Sequence, residues 1–443
     1  MMNNLLKHII VVIILFSCVT PTFADNKFDK LDEYMDVLAK HDKAMLSVAI
    51  REKGKLVYSK QIGYVDTERK IATNSDSMFR IGSISKTYTA AVVMRLVEMN
   101  KLTLNDKLSQ FYPNIPNAEK ITIEHLLNHR SGIFNFTNDP LYLEYMTNPQ
   151  SRQKMLAKIA NFDPQFEPDS QHQYSNSNYL LLSYVVEDVT QKSFSQALDN
   201  LLIEPLDLTR TKFGGKITST NNEVHSFEFK NGWQLSSETD MTIPLGAGSV
   251  ISTAEDTSLF LHKLFQNQLL SETSVNKMMS LKDNYGFALM QFPFYDKRFL
   301  GHNGKIDGFL SSAAYYPPEQ ISFAVLSNGM NTNFNNILIA LLSAQFGMTV
   351  EIPDFTATEY KLSNEQRQRY VGEYVSEQLP LEIKIFIENE QVMAQATGQS
   401  AIPLATYSEF EFRFERAGLV IMFNESFDEF ELRQGGKYIF KRK

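Results

Sequence analysis

Apolar and polar positions change period several times along this chain, and each change marks an element. Residues 46–51 and 55–64 are rich in β-branched and aromatic side chains and meet at Lys53-Gly54, a hairpin signal. From Ser83 the period switches. Residues 90–99 are apolar on nearly every face, broken only by Arg95 and Glu98, which predicts a buried helix ending at Asn100. Residues 103–290 read as mainly helical with long polar connections, 179–189 being the clearest helix. Strand patterns return at 298–301, 309–316 and 321–327, the last two turning through Pro317-Pro318-Glu319-Gln320. A helix over 337–346 follows, with Gly347 as its stop signal. Strands at both ends with helices between predict one α/β (α+β) domain, 25–350, whose sheet is completed by distant segments.

Residues 351–362 lose all periodicity and include Pro353, as a linker does. Ser363 and Gln366 are spaced as a capping box for a short helix. Beyond it the chain alternates strictly: Leu381, Ile383, Ile385 and Ile387 share one strand face, and Phe410, Phe412 and Phe414 alternate with Glu411, Arg413 and Glu415. Residues 363–443 are therefore expected to form a second, small antiparallel β-barrel-like domain.

A chain of 443 residues with 43% hydrophobic and 21% charged residues is an ordered globular protein, long enough for two domains. Its net charge of -8, without a block of lysine and arginine, argues against nucleic acid as a partner. Lys7 and His8 precede an apolar run over 9–16 that is too short to span a bilayer, and Thr22-Phe23-Ala24 precedes Asp25. That pattern fits a signal peptide, 1–24, and predicts an exported, periplasmic or secreted protein. The only cysteine, Cys18, lies inside this segment. An alternative reading takes Leu15-Phe16-Ser17-Cys18 as a lipobox, with the mature chain lipid-anchored at Cys18.

Candidate chemistry begins in FRIGSISKTYTAA, residues 79–91, where Ser83 and Lys86 stand three apart at the mouth of the apolar helix. On a helix such residues share a face, so the amine reaches the hydroxyl. A partly desolvated lysine has a lowered pKa and can take the serine proton, which makes an otherwise poor nucleophile competent. Two further short runs stand out: Tyr174-Ser175-Asn176 ahead of a helix, and His302-Asn303-Gly304 at the end of an edge-type strand.

These three runs, in this order, resemble the S-x-x-K, Y-x-N and H-x-G elements of the serine β-lactamase and penicillin-binding-protein superfamily. The segments ITIEHLLNHRSGIFNF, YSNSNYLLLSYVVEDVT, PLGAGSVISTAEDTSLFL and FLSSAAYYPPEQISFAVLSNG are similar to its class C β-lactamase and DD-carboxypeptidase branch, and the likeness covers about residues 30–347. It implies a β-lactamase/transpeptidase-like fold, an antiparallel sheet flanked by helices plus a helical subdomain. It also implies Ser83 as acyl-enzyme nucleophile with Tyr174 as the proton shuttle, its phenolate favoured by Lys86. Asn176 orients Lys86 and donates to a substrate carbonyl, and the oxyanion lies between the backbone N–H groups of Ser83 and Lys305. Gly304 is expected to leave room for substrate along the strand. No cofactor is implied. The 363–443 segment, opening with LSNEQRQRYVGEYV, resembles the lipocalin-like module of some serine hydrolases of this group and is expected to cover the site, limit substrate size, bind a partner or serve only as a stabilising appendage.

The third element carries histidine where penicillin-recognising members usually carry lysine. A histidine of ordinary pKa, about 6.5, loses its charge near neutrality, so activity on acidic substrates is expected to fall as His302 deprotonates, unless Arg298 or Lys305 supplies the charge. His125 and His129 are spaced i, i+4, but the glutamate precedes the first histidine, so no H-E-x-x-H metal site is expected. The resulting expectation is an exported serine hydrolase acting on small-molecule or peptidoglycan-derived substrates, a β-lactam or D-amino-acid peptide. Alternatives are an esterase or D-aminopeptidase, and a slowly deacylating penicillin-binding sensor.

Overall fold

Lys53 and Gly54 both take left-handed backbone, φ +50° and +80°, the requirement of a two-residue hairpin turn whose twist matches its strands. The computed structural model describes residues 26–356, 360–414, 417–434 and 436–443. Its main sheet uses β1 (Ala44–Glu52), β2 (Lys55–Ile62), β3 (Met290–Phe294), β4 (Lys297–Ile306), β5 (Phe309–Tyr316) and β6 (Ile321–Met330), in the spatial order β3-β4-β5-β6-β1-β2, all antiparallel. The N-terminal hairpin thus docks on the last strand, β1 pairing Val48 with Val325. The leader and the Cys18 lipobox lie outside the described residues.

Alternation along the strands separates two cores. Val48, Ile50, Phe323 and Val325 face α1 (Asp29–Lys40), and Ala49, Ala324 and Leu326 face the opposite core, which holds α2 (Ser85–Glu98), α3 (Asn176–Thr190) and α4 (Ala254–Phe265). The last helix of this region, α5 (Phe334–Gln345), packs Ile337 and Leu341 on the α1 side and ends before Gly347, φ +68°. Helices dominate the regular structure of residues 103–290, joined by the long connections expected, but the stretch also contains short strands. Thr211–Phe213 and Phe79–Arg80 flank Val250–Ser252, and Phe227–Phe229 pairs with Trp233–Leu235. Runs of two or three residues are too short to carry a period, which is why pattern reading passes over them.

The C-terminal residues form a nine-stranded antiparallel sheet around a separate apolar core that includes Tyr370, Tyr374, Ile385, Phe412, Ile421 and Phe440. Its two outer strands, Ile402–Pro403 and Ala405–Thr406, are separated only by Leu404, so the sheet curls into a nearly closed barrel. Ser363 and Gln366 make the reciprocal capping bonds, 3.2 and 2.8 Å. Among the described residues no helix is long and apolar enough to cross a membrane.

Candidate active site

Two glycines bring the serine turn against β4. Gly82 opens a 3₁₀ turn, Gly82–Ile84, with φ +52°, and a Cβ there would lie 2.8 Å from the Lys305 backbone nitrogen. Gly304 meets it from the strand side, where a Cβ would stand 2.1 Å from the Ile81 carbonyl oxygen and 2.2 Å from Ser311 Oγ. The role expected of Gly304 is therefore corrected: its missing side chain admits the nucleophile's own turn, not substrate. The strand geometry is corrected too. His302 sits mid-strand in β4, and β3 pairs with β4 only as far as Gly301, so β4 has edge character only from His302 onward.

Ser83 begins where backbone N–H groups have no intrahelical partner, and α2 then turns Lys86 back toward it. Lys86 Nζ lies 3.0 Å from Ser83 Oγ, 2.8 Å from Asn176 Oδ1 and 2.7 Å from the Ala247 carbonyl oxygen. The side chain is wholly buried, and this desolvation holds its pKa well below that of a free lysine. A neutral amine fits these contacts well. Its two hydrogens go to the two obligate acceptors, Asn176 Oδ1 and the Ala247 carbonyl, and its lone pair faces the Ser83 hydroxyl. Ala247 was not legible as a site residue. It reaches Lys86 because Gly246 is clamped between helices: its N–H donates to Ser183 Oγ of α3 (2.8 Å) and its carbonyl accepts from Thr89 Oγ1 of α2 (2.8 Å).

Tyr174 OH lies 2.8 Å from Ser83 Oγ on the other side. Burial raises its pKa, which runs against the expected phenolate: Tyr174 is held as a phenol able to donate. Asn176 is the first residue of α3. Its N–H donates to Asn135 Oδ1 (3.0 Å), and Nδ2 gives one hydrogen to Thr137 Oγ1 (3.1 Å), leaving one N–H on the cleft.

His302 does not behave as an ordinary surface histidine. It is 3% exposed, with Nδ1 2.5 Å from the Asn303 carbonyl oxygen and Nε2 3.0 Å from Tyr285 OH. A neutral ring satisfies both contacts, Nδ1–H donating and Nε2 accepting. Burial pushes its pKa down to about 3. The expected loss of charge near neutrality is thereby corrected: His302 is neutral across that range and supplies no cation for a carboxylate. Of the two substitutes considered, Arg298 is spent on the β3–β4 turn, donating to the carbonyls of Tyr295 and Lys297, whereas Lys305 lines the cleft.

The cleft over Ser83 has a volume of about 450 Å³ and combines the apolar Phe136, Leu143 and Met146 with the acidic Glu228 and Asp307. Asp307 is committed to a buried network that sequence reading missed. Arg80, three residues before the serine, donates to Asp307 Oδ2 (2.8 Å), Glu238 Oε1 (2.8 Å) and the carbonyls of Thr239 and Gly215. A lone arginine between Phe79 and Ile81 was its only sequence signal. His125 Nδ1 accepts from Thr122 N–H in a helix cap, and the described residues contain no cluster of metal-ligating side chains.

The family described as Beta-lactamase matches residues 26–347. Penicillin-binding protein 4* of Bacillus subtilis is 25% identical over 422 residues, covering 87% of this chain and 91% of that protein. Teichoic acid D-alanine hydrolase of Staphylococcus aureus is 27% identical over 315 residues, 69% of this chain and 75% of that protein. The crystal structure of D-amino acid amidase from Ochrobactrum anthropi SV3 with D-phenylalanine superposes with a TM-score of 0.64 at 22% identity, covering 72% of this chain and 99% of its own. A family match over most of the chain, around a serine–lysine–tyrosine cluster whose lysine is buried, makes this protein a member of the Beta-lactamase family and a serine hydrolase.

Proposed function

We propose that the protein is an exported hydrolase that cleaves amide or ester bonds of D-aminoacyl groups through an acyl-enzyme on Ser83. The observation that carries this reading is Ser83 Oγ held between Lys86 Nζ and Tyr174 OH. Neutral Lys86 takes the Ser83 proton as Oγ bonds to the substrate carbonyl carbon. The resulting oxyanion lies at the N–H groups of Ser83 and Lys305. Tyr174 passes a proton to the departing nitrogen or oxygen as the acyl–leaving-group bond breaks, and is reprotonated from Lys86. Water, activated by the same pair, then releases the acid and regenerates Ser83.

Neutral, hydrogen-bonded His302 supplies no charge for a substrate carboxylate, which favours D-aminoacyl donors over peptides ending in D-Ala-D-Ala or penicillins except where Lys305, which lines the cleft, meets that carboxylate. The related Staphylococcus aureus protein is named for D-alanine hydrolysis, which supports the same acyl group. Export rests on the 1–24 leader. The test is a panel of D- and L-alanyl p-nitroanilides and esters, a D-Ala-D-Ala peptide and a penicillin, each with wild type and Ser83→Ala. Ser83-dependent turnover is expected to be fastest with the D-aminoacyl compounds. Faster turnover of the peptide or penicillin overturns the substrate assignment.

A further inference from the structure

The second histidine of the i, i+4 pair is fully buried and sits directly behind the site. His129 adopts left-handed backbone, φ +59°. Its carbonyl accepts from Gln173 N–H at 3.0 Å, and its ring Nδ1 accepts from Ser175 N–H at 3.2 Å. One residue therefore holds both chain neighbours of Tyr174. Asn178 Nδ2 lies 3.2 Å from the same Nδ1, and Asn178 Oδ1 in turn accepts from Ser131 Oγ at 2.6 Å. With a backbone N–H and a side-chain amide aimed at it, Nδ1 is fixed as the acceptor. The ring also packs, tilted, against the proton-carrying phenol, 4.4 Å between centroids, and against Tyr285 at 4.9 Å.

We propose that His129 is a positioning residue for acyl transfer, clamping the 173–175 segment so that Tyr174 and Asn176 meet Ser83 and Lys86 in register. The proposal rests on the acyl-enzyme reading above. Ser175 is the one residue between the phenol and the amide, so releasing its N–H lets both side chains drift. A misplacement of about 1 Å at such a site costs up to about 100-fold in rate. Substrate does not touch His129, so the loss falls on kcat and on the acylation rate, and KM stays near its original value.

Asparagine and glycine both tolerate left-handed backbone, and asparagine alone places an acceptor, Oδ1, where Nδ1 stood. The experiment compares wild type, His129→Asn, His129→Gly and Ser83→Ala for labelling of Ser83 by a fluorophosphonate, for kcat and KM on D-alanyl p-nitroanilide, and for thermal midpoint. The clamp predicts that His129→Gly loses about 10- to 100-fold in labelling and kcat with KM unchanged, and that His129→Asn recovers most of it although its midpoint is also lowered. Equal rates for the two folded variants, or a loss confined to KM, overturn the clamp. If glycine prevents folding, asparagine decides: a rate within about tenfold of wild type supports the clamp, and a larger loss overturns it. Absence of any Ser83-dependent labelling or turnover in wild type overturns the acyl-enzyme reading, and the clamp with it.

Discussion

His302 shows how burial overrides a side chain's ordinary chemistry. Its folded pKa of about 3 lies far below the unfolded value of about 6.5. Between those values the unfolded chain binds a proton that the folded chain does not. Stability is therefore fully present above about pH 6.5 and is lost toward acid, at about 1.4 kcal/mol per pH unit for this group. His129, whose pKa burial also lowers, adds to the same slope. In ¹³C-histidine-labelled protein the His302 ring signal is expected not to titrate near neutrality; a midpoint at about 6.5 contradicts the burial argument. Arg80 presents the opposite case, a buried guanidinium paired with Glu238 and Asp307 at 2.8 Å each. Arg80→Met leaves Asp307 desolvated beside the cleft and is expected to cost about 3–5 kcal/mol in urea unfolding, whereas a change under about 1 kcal/mol would show that the network contributes little.

At the scale of elements, the site exists because β4 meets the serine turn backbone to backbone and α3 brings Asn176 to Lys86. Gly304→Ala puts a methyl against the Ile81 carbonyl and Ser311 Oγ, both on well-packed elements, so β4 and the turn must separate. The expected result is a folded protein whose Ser83 acylation slows by about 100-fold; wild-type acylation would show that the contact relaxes freely. The same level explains what sequence reading reached. Ser83 and Lys86 were legible because both lie on one helix and need only local geometry, and Tyr174, Asn176 and His302 because three short motifs came in a family's order. Ala247, Asp307 and Tyr285 were not, since each acts through a backbone carbonyl or a contact between segments remote in the chain. His129 was noticed for its spacing and set aside once the metal motif failed, because nothing local shows that its Nδ1 faces residue 175.

For the molecule as a whole, the cleft is lined by residues between Gly82 and Asp307, and the barrel has its own core. The alternation of 381–387 and 410–414 already indicated such a sheet, but not what it covers. A chain ending at residue 356 is expected to fold and to hydrolyse small esters as the full chain does; a lost or broadened specificity would give the barrel a place at the active site. The central claim is that Ser83 carries the acyl group. Intact-mass spectra of wild type and Ser83→Ala, taken through a time course with a D-alanyl ester, test it most directly. The account predicts a transient increase equal to one D-alanyl group, located on the peptide containing Ser83 and absent from the variant. Turnover by Ser83→Ala, or an adduct on another residue, would contradict it.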